Sequence, residues 1–250
     1  MTTEKTTALV LRLVDFSESS CVVTLFTEDF GKVGALAKGA RRPKGPFDSA
    51  LDLLAVCRIV FIHKSSGGLD LLTEARLDRR FRAATRDLSR LYAGYYVAEL
   101  LQELTDYGDP HPDLYALANH TLAELDGDGD VVWTTLRFEV LALKALGFLP
   151  AVDRCVRCGG PISETGRVLF GQLAGGVICP RCRRGQKQVV SLSRRGLEIL
   201  RGLTEGCATP GVSTTDRRVS GELRGLLNHY LANVLGRPPR MQKFLGFLAT

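Results

Sequence analysis

The sequence predicts an α+β multidomain fold: a small five-stranded β-barrel at the front, an all-α domain behind it, and a compact metal module inserted among the helices. Three observations carry this. Residues 5–77 hold five short, apolar, β-branched stretches separated by turn residues; from Asp78 onward the apolar residues recur at helical spacing; and Cys155-Val-Arg-Cys158 is answered by Cys179-Pro-Arg-Cys182. A length of 250 residues with 45% hydrophobic content suits one or two domains with buried cores.

Lys5 to Val14 reads as the first strand, and Asp15-Phe-Ser-Glu-Ser19 turns it into Cys21–Thr27. Glu28-Asp-Phe-Gly31 turns the chain again. Lys32–Lys38 is the third strand, Leu51–His63 a long fourth and, after Ser65-Ser-Gly-Gly68, Leu69–Leu77 the fifth. Five antiparallel strands within residues 1–79 fit a small closed barrel, and the OB-fold is the barrel of this size whose surface most often binds single-stranded nucleic acid. Another five-stranded barrel without that role is the alternative. Gly39–Ser49 is too short and too Pro-rich for a full helix between strands three and four.

That same stretch, Lys38-Gly-Ala-Arg41-Arg42-Pro-Lys44-Gly-Pro-Phe47, sets four cations and one aromatic on a loop that Gly and Pro keep irregular. Arg and Lys there would neutralise phosphates and release counterions. Phe47 would either stack on a base or plug the core at the foot of the loop. A solvated basic loop with no ligand is the plainer reading.

Helical periodicity follows. Phe81, Ala84, Leu88, Leu91, Tyr95, Ala98, Leu101 and Leu104 trace one face through Thr105, with Tyr92, Tyr95 and Tyr96 read as core. Asp106-Tyr-Gly-Asp-Pro-His-Pro interrupts it, and helices are expected over Leu114–Leu125 and Val131–Leu146. Ser193 caps another helix through Leu197, Leu200 and Leu203, and a longer one carries Leu223, Leu226, Leu227, Tyr230, Leu231 and Val234 up to Gly236. Residues 80–150 and 186–250 are thus expected to form one helical domain, with the metal module at 151–185.

The two C-x-x-C pairs point to zinc. Cysteines three apart bring both sulfurs to one metal from a tight turn, and a second such turn completes a four-thiolate tetrahedron. Cys155, Cys158, Cys179 and Cys182 would hold one structural Zn2+, because four protein ligands leave no position for water or substrate. Two disulfides or redox pairs are the alternative. Seven cysteines, with Cys21, Cys57 and Cys207 single, suit a reducing compartment better than a disulfide framework. No run of eighteen apolar residues and no secretory segment is seen, so a cytoplasmic location without membrane attachment is expected.

Net charge is +6, unevenly spread. Residues 1–80 hold 12 Lys/Arg against 10 Asp/Glu, residues 81–149 hold 5 against 11, and residues 150–250 hold 16 against 6. Basic ends around an acidic middle suit an anionic polymer held at selected surfaces. A second phosphate surface would comprise Arg181, Arg183, Arg184, Lys187, Arg194 and Arg195, although zinc ribbons are often basic without touching nucleic acid. No phosphate-binding G-x-x-x-x-G-K-[ST], H-E-x-x-H or spaced carboxylate set occurs. Asp126-Gly-Asp-Gly-Asp130 fails as a calcium loop, with Val131 at its sixth position and Arg137 at its twelfth. His63, His111, His120 and His229 share no ligand spacing.

The order of these features resembles the RecO family of bacterial recombination mediators and DNA-repair proteins. The resemblance lies in Leu25-Phe-Thr27, Gly31-Lys32 and Ala37-Lys-Gly-Ala-Arg41, in Leu143-Lys-Ala-Leu-Gly147-Phe-Leu-Pro150 running into Cys155-x-x-Cys158-Gly159, and in Tyr230-Leu231 with Lys243-Phe-Leu245. The Leu-Gly-Phe-x-Pro approach to a C-x-x-C-G knuckle is its most specific part; Gly45 departs from the small hydroxyl residue more usual there. The resemblance implies a non-enzymatic protein of OB-fold, helical domain and zinc module. It would bind single- and double-stranded DNA, anneal complementary strands and, with RecR, help displace single-strand-binding protein so that RecA can load. By matching position, Lys38, Arg41, Arg42 and Lys44 become the main phosphate contacts, with Lys32 and Arg12 weaker. The readings set against this are a DNA-acting enzyme, such as a glycosylase or nuclease gripping DNA with these modules, and a zinc-ribbon adaptor that binds protein only.

Overall fold

In the computed structural model, residues 2–42, 45, 47, 50–64, 67–163, 165–205 and 217–249 are described. By its contacts the chain divides into two units, residues 1–129 and 130–250.

The first unit begins with β1 (Thr2–Asp15), β2 (Cys21–Thr27), β3 (Gly31–Ala37), β4 (Val56–His63) and β5 (Asp70–Arg79). They close into a barrel in the order β1-β2-β3-β5-β4, with β4 returning to β1. The expected all-antiparallel pairing fails once, between β3 and β5, which run parallel over Ala35–Ala37. Parity requires it: an odd ring of strands cannot alternate direction all the way round. Alternate residues turn inward, as Val23 and Leu25, Val33, Ala35 and Ala37, and Cys57, Ile59 and Phe61 show, and the many small side chains keep the interior narrow.

β1 serves two partners by bulging. Its pairing with β2 slips between Val10 and Arg12, while the Val10 N–H donates to Ala55 O at 3.0 Å and Leu54 N–H donates to Val10 O at 2.9 Å. This explains why β4 starts at Val56 rather than Leu51. Leu54 sits at φ 65, a left-handed conformation that a strand cannot contain, with its side chain buried.

Two helices complete the unit, α1 (Leu88–Leu104) and α2 (Pro112–Asp126). The helical period expected from Phe81 is delayed because β5 runs to Arg79 and a single 3-10 turn, Ala83–Thr85, follows. Asp87 then caps α1 by accepting from the Ser89 N–H at 2.9 Å. Of the tyrosine cluster only Tyr96 is fully buried, with Tyr92 and Tyr95 half-buried.

Gly31 is demanded twice over. Its φ is +64, and a Cβ there would stand 2.1 Å from the carbonyl oxygen of Asp109. Gly31→Ala is therefore expected to lower stability by about 2 kcal/mol or more, read as a lower urea midpoint with unchanged slope.

The second unit contains α3 (Val131–Ala145), a small sheet of β6 (Val168–Gly171), β7 (Gly176–Ile178) and β8 (Val189–Leu192) in the order β7-β6-β8, then α4 (Arg194–Thr204) and α5 (Arg217–Leu235), with 3-10 turns over Arg240–Ala249. Ser193 caps α4 as expected, accepting from Gly196 N–H at 3.0 Å. Leu136, Phe138, Val140 and Leu143 of α3 are buried, as are Leu197, Leu200 and Leu203 of α4 and Leu223, Leu227 and Leu231 of α5. Among these apolar residues lies an ion pair between Glu139 of α3 and Arg224 of α5, 0% and 5% exposed.

The Leu143–Pro150 stretch has a local explanation. Gly147, at φ 76, ends α3: Phe148 N–H donates to Leu143 O at 2.8 Å and Gly147 N–H to Lys144 O at 3.1 Å, the paired bonds of a Schellman stop. The Phe148 carbonyl then accepts from the Tyr230 hydroxyl at 2.9 Å, fixing the direction in which the chain leaves toward Cys155. Among the described residues no helix is long and apolar enough to cross a membrane.

Candidate metal centre and nucleic-acid interface

The four cysteines meet. Their sulfur atoms all lie within 4.8 Å of one another, and Cys158 Sγ is 3.8 Å from Cys179 Sγ. A tetrahedral zinc with bonds of about 2.3 Å would space its sulfurs at about 3.8 Å, so the set fits a thiolate-held ion. Each pair is shaped by its own backbone. Gly159 N–H donates to Cys155 O at 2.8 Å with Gly159 at φ 68, and Cys182 N–H donates to Cys179 O at 3.0 Å at the start of the 3-10 turn Pro180–Arg183.

The first knuckle is fastened to β7. Val156 N–H donates to Val177 O, Val177 N–H to Ala151 O and Ala151 N–H to Gly175 O, at 2.8–2.9 Å. That closeness leaves no room at Gly176, where a Cβ would fall 2.4 Å from Ala151 O. Cys155 and Cys179 are buried, Cys182 is half-buried and Cys158 exposed. Burial acts to raise the Cys155 thiol, but backbone N–H groups of Cys179, Cys158 and Arg157 outweigh it and bring it down to about 6. Cys182, beside the Cys179 and Cys158 sulfurs, is pushed up to about 12. A set that stabilises one thiolate and resists the next is suited to a cation that satisfies all four. The single cysteines Cys21 and Cys57 are buried in the barrel, and Cys207 lies outside the described residues.

The basic loop leaves the barrel where β3 ends. Lys38, Arg41 and Arg42 are exposed, and Lys44 lies outside the described residues. Two turns order the start of the loop: Gly39 sits at φ 74 and its O accepts from Arg42 N–H at 3.0 Å, and Arg42 O accepts from Gly45 N–H at 3.3 Å. Arg41 reaches the β1–β2 hairpin twice, through its N–H to Ser19 O at 3.1 Å and through a 3.0 Å ion pair with Asp15. The pair is exposed, so it costs little to exchange Asp15 for another anion. Arg12 is exposed on the adjoining strand β1.

One open choice is settled here and one expectation corrected. Phe47 is 3% exposed and packed into the barrel core, so it plugs the base of the loop and offers no face to a base. Lys32 is 7% exposed: its ammonium donates to Gln102 O at 2.7 Å and to Thr105 O, closing the C-terminal end of α1, and lies 4.9 Å from the Tyr107 ring centre. Burial depresses its pKa. An ammonium so placed joins β3 to α1 and is withdrawn from any phosphate. Conversely, Phe16, visible in the sequence only as part of a turn, stands 64% exposed.

In the second unit, Arg181, Arg183, Arg184 and Lys187 are exposed around the second knuckle. Arg194 and Arg195 pair with Glu198 along α4 at 3.9 and 3.8 Å, and Arg194 also donates to Ser163 O at 3.0 Å.

Comparison with known proteins agrees with this arrangement. Residues 1–81 match the family described as recombination protein O, N terminal, and residues 85–243 match recombination protein O, C terminal. The DNA repair protein RecO of Rhodopirellula baltica is 43% identical over 263 residues, covering 95% of this chain and 97% of the relative. Those of Myxococcus xanthus and Anaeromyxobacter dehalogenans are 37% and 36% identical, covering 96% of this chain and 95% of each relative. With both halves matched and relatives aligned over nearly the full length, the chain belongs to the RecO family of DNA repair and recombination proteins.

Proposed function

We propose that this chain is a non-enzymatic mediator of homologous recombination. It binds single- and double-stranded DNA at the barrel end carrying Lys38, Arg41 and Arg42, with Lys44 and Arg12 as further contacts, and allows complementary strands to anneal there. Together with RecR it helps RecA load onto DNA coated with single-strand-binding protein, in the cytoplasm at the nucleoid. The observation that carries this reading is the cluster of exposed cations at the end of β3, joined by Arg41 to the neighbouring hairpin, on a barrel whose strand order is that of an OB-fold. Holding two anionic strands on one basic surface lowers their repulsion until base pairing takes over. Arg194 and Arg195 are a secondary contact, shared with Glu198. Zinc in the four-cysteine set, which is then a zinc ribbon, holds the fold without taking part in binding.

The test is a fluorescence-anisotropy titration across salt concentrations. Affinity is expected to fall steeply as salt rises, and Arg41→Ala with Arg42→Ala to weaken binding and flatten the log–log salt slope on single strands by about 1.4, two lost phosphate contacts. An affinity indifferent to salt, or unchanged by the double substitution, refutes the barrel-loop site. Incubating labelled intact or damaged DNA with the protein and divalent metals is expected to give no new product; a specific product would favour a DNA-acting enzyme.

A further inference from the structure

We propose that Phe16 is a stacking platform for unpaired bases, the contact that lets this chain distinguish single-stranded from duplex DNA; this rests on the DNA-binding reading above. A lone exposed aromatic needs no explanation, but this one stands on a hydrogen-bonded turn at the end of an apolar row and beside exposed cations. Phe16 N–H and Ser17 N–H both donate to Ser20 O, at 3.0 and 3.2 Å, so the turn presents the ring from a fixed backbone. The turn is also tied to the basic loop, by the two Arg41 contacts and by Gly39 N–H donating to Ser20 Oγ at 3.4 Å.

The strand register shows what surrounds the ring. Val14 pairs with Val22, and Val22 with Leu36, forming a row across β1, β2 and β3. Arg12, Thr24 and Gly34 form the next row on the same face. Two-residue periodicity continues this outer face to Phe16 on one side and Lys38 on the other, each one residue beyond its strand. The inward-facing positions, Cys21, Val23, Ala35 and Ala37, are buried in the barrel core. Farther along the strands, α1 and α2 cover the outer face: Phe26 packs against Tyr115 with ring centres 6.2 Å apart, and Gln102 Nε2 donates to Leu11 O at 3.2 Å. What stays open is the end where Val14 is 42% exposed, Val22 and Leu36 are half-buried and Lys38, Arg41 and Arg42 stand at the border. An aromatic residue beside an apolar row, edged by cations, matches the chemistry of an unpaired strand, which offers base faces and phosphates together. A duplex offers the phosphates but keeps its base faces stacked.

Three ligands of equal length separate the contributions: a deoxythymidine oligomer, an abasic oligomer with the same phosphates, and a duplex. Phe16→Ala is expected to weaken the thymidine oligomer about ten-fold while leaving the abasic strand and the duplex within about two-fold. Phe16→Trp should retain thymidine binding and Phe16→Leu should not. Melting temperatures of all three variants should match that of the wild type, since the ring is exposed. Equal losses on all three ligands would overturn the proposal, and so would full retention by Phe16→Leu, which would mean that apolar contact suffices without a stacking ring. If the wild type binds all three and Phe16→Ala changes none, this inference alone fails. If the wild type binds none of them, the DNA-binding reading fails as well.

Discussion

Stripping the metal, or substituting Cys158→Ser, is expected to unfold the knuckle module before it weakens DNA binding. The apolar cluster at the metal is small: Cys155, Ile178 and Cys179 are its buried members, with Leu169, Cys182 and Val189 packed partly against them. Two of those three are ligands themselves. Apparent binding energies of structural zinc reach about 10–16 kcal/mol at neutral pH, far more than this apolar contact can supply. Without the ion, thiols whose affinities are pulled apart, down to about 6 at Cys155 and up to about 12 at Cys182, are left with no common partner. Binding the metal must release protons from them, so metal affinity should rise with pH. The damage should spread through the bonds joining Val156 and Ala151 to β7, and so to the β7-β6-β8 sheet. Zinc release followed with a chromogenic chelator, alongside thermal melting and anisotropy, checks the order of events. A Cys158→Ser protein that melts normally but no longer binds DNA would show that the site serves recognition and not folding.

What the sequence revealed was what depends on neighbours along the chain. The C-x-x-C spacing determines which sulfurs meet, because each knuckle is closed by bonds within five residues, such as Gly159 N–H to Cys155 O. Ser193 and Gly147 mark helix ends through contacts no farther away. The misreadings arise where distant segments decide. Leu51–Ala55 has the composition of a strand, yet Leu54 adopts a left-handed turn so that this segment can close against β1. Lys32 reads as an available cation, but α1, seventy residues on, covers it and takes its charge. The burial of the two phenylalanines depends on distant packing in the same way. Phe47 follows the basic cluster in sequence and is buried, whereas Phe16 precedes it by more than twenty residues and is brought alongside by strand register.

The ion pair between Glu139 and Arg224 was equally hidden, being 85 positions apart, and it sets the other large effect. Either Glu139→Leu or Arg224→Met alone is expected to cost about 3–5 kcal/mol, because each breaks a buried ion pair. Arg224 has little to fall back on: among the described residues its Nε and Nη2 already meet no hydrogen-bond acceptor. Replacing both, as Glu139→Leu with Arg224→Met, should recover most of that loss, since volume-matched apolar residues would suit positions as buried as these. Urea unfolding of the two singles and the double, read as a double-mutant cycle, separates the energy of the pair from the penalty of a stranded charge. A double variant as unstable as the sum of its singles would mean that the charges act independently. Recovery, by contrast, would mean that the pair adds little net stability and that its role lies in the register of α3 against α5, the packing from which the chain departs at Gly147 toward the first knuckle.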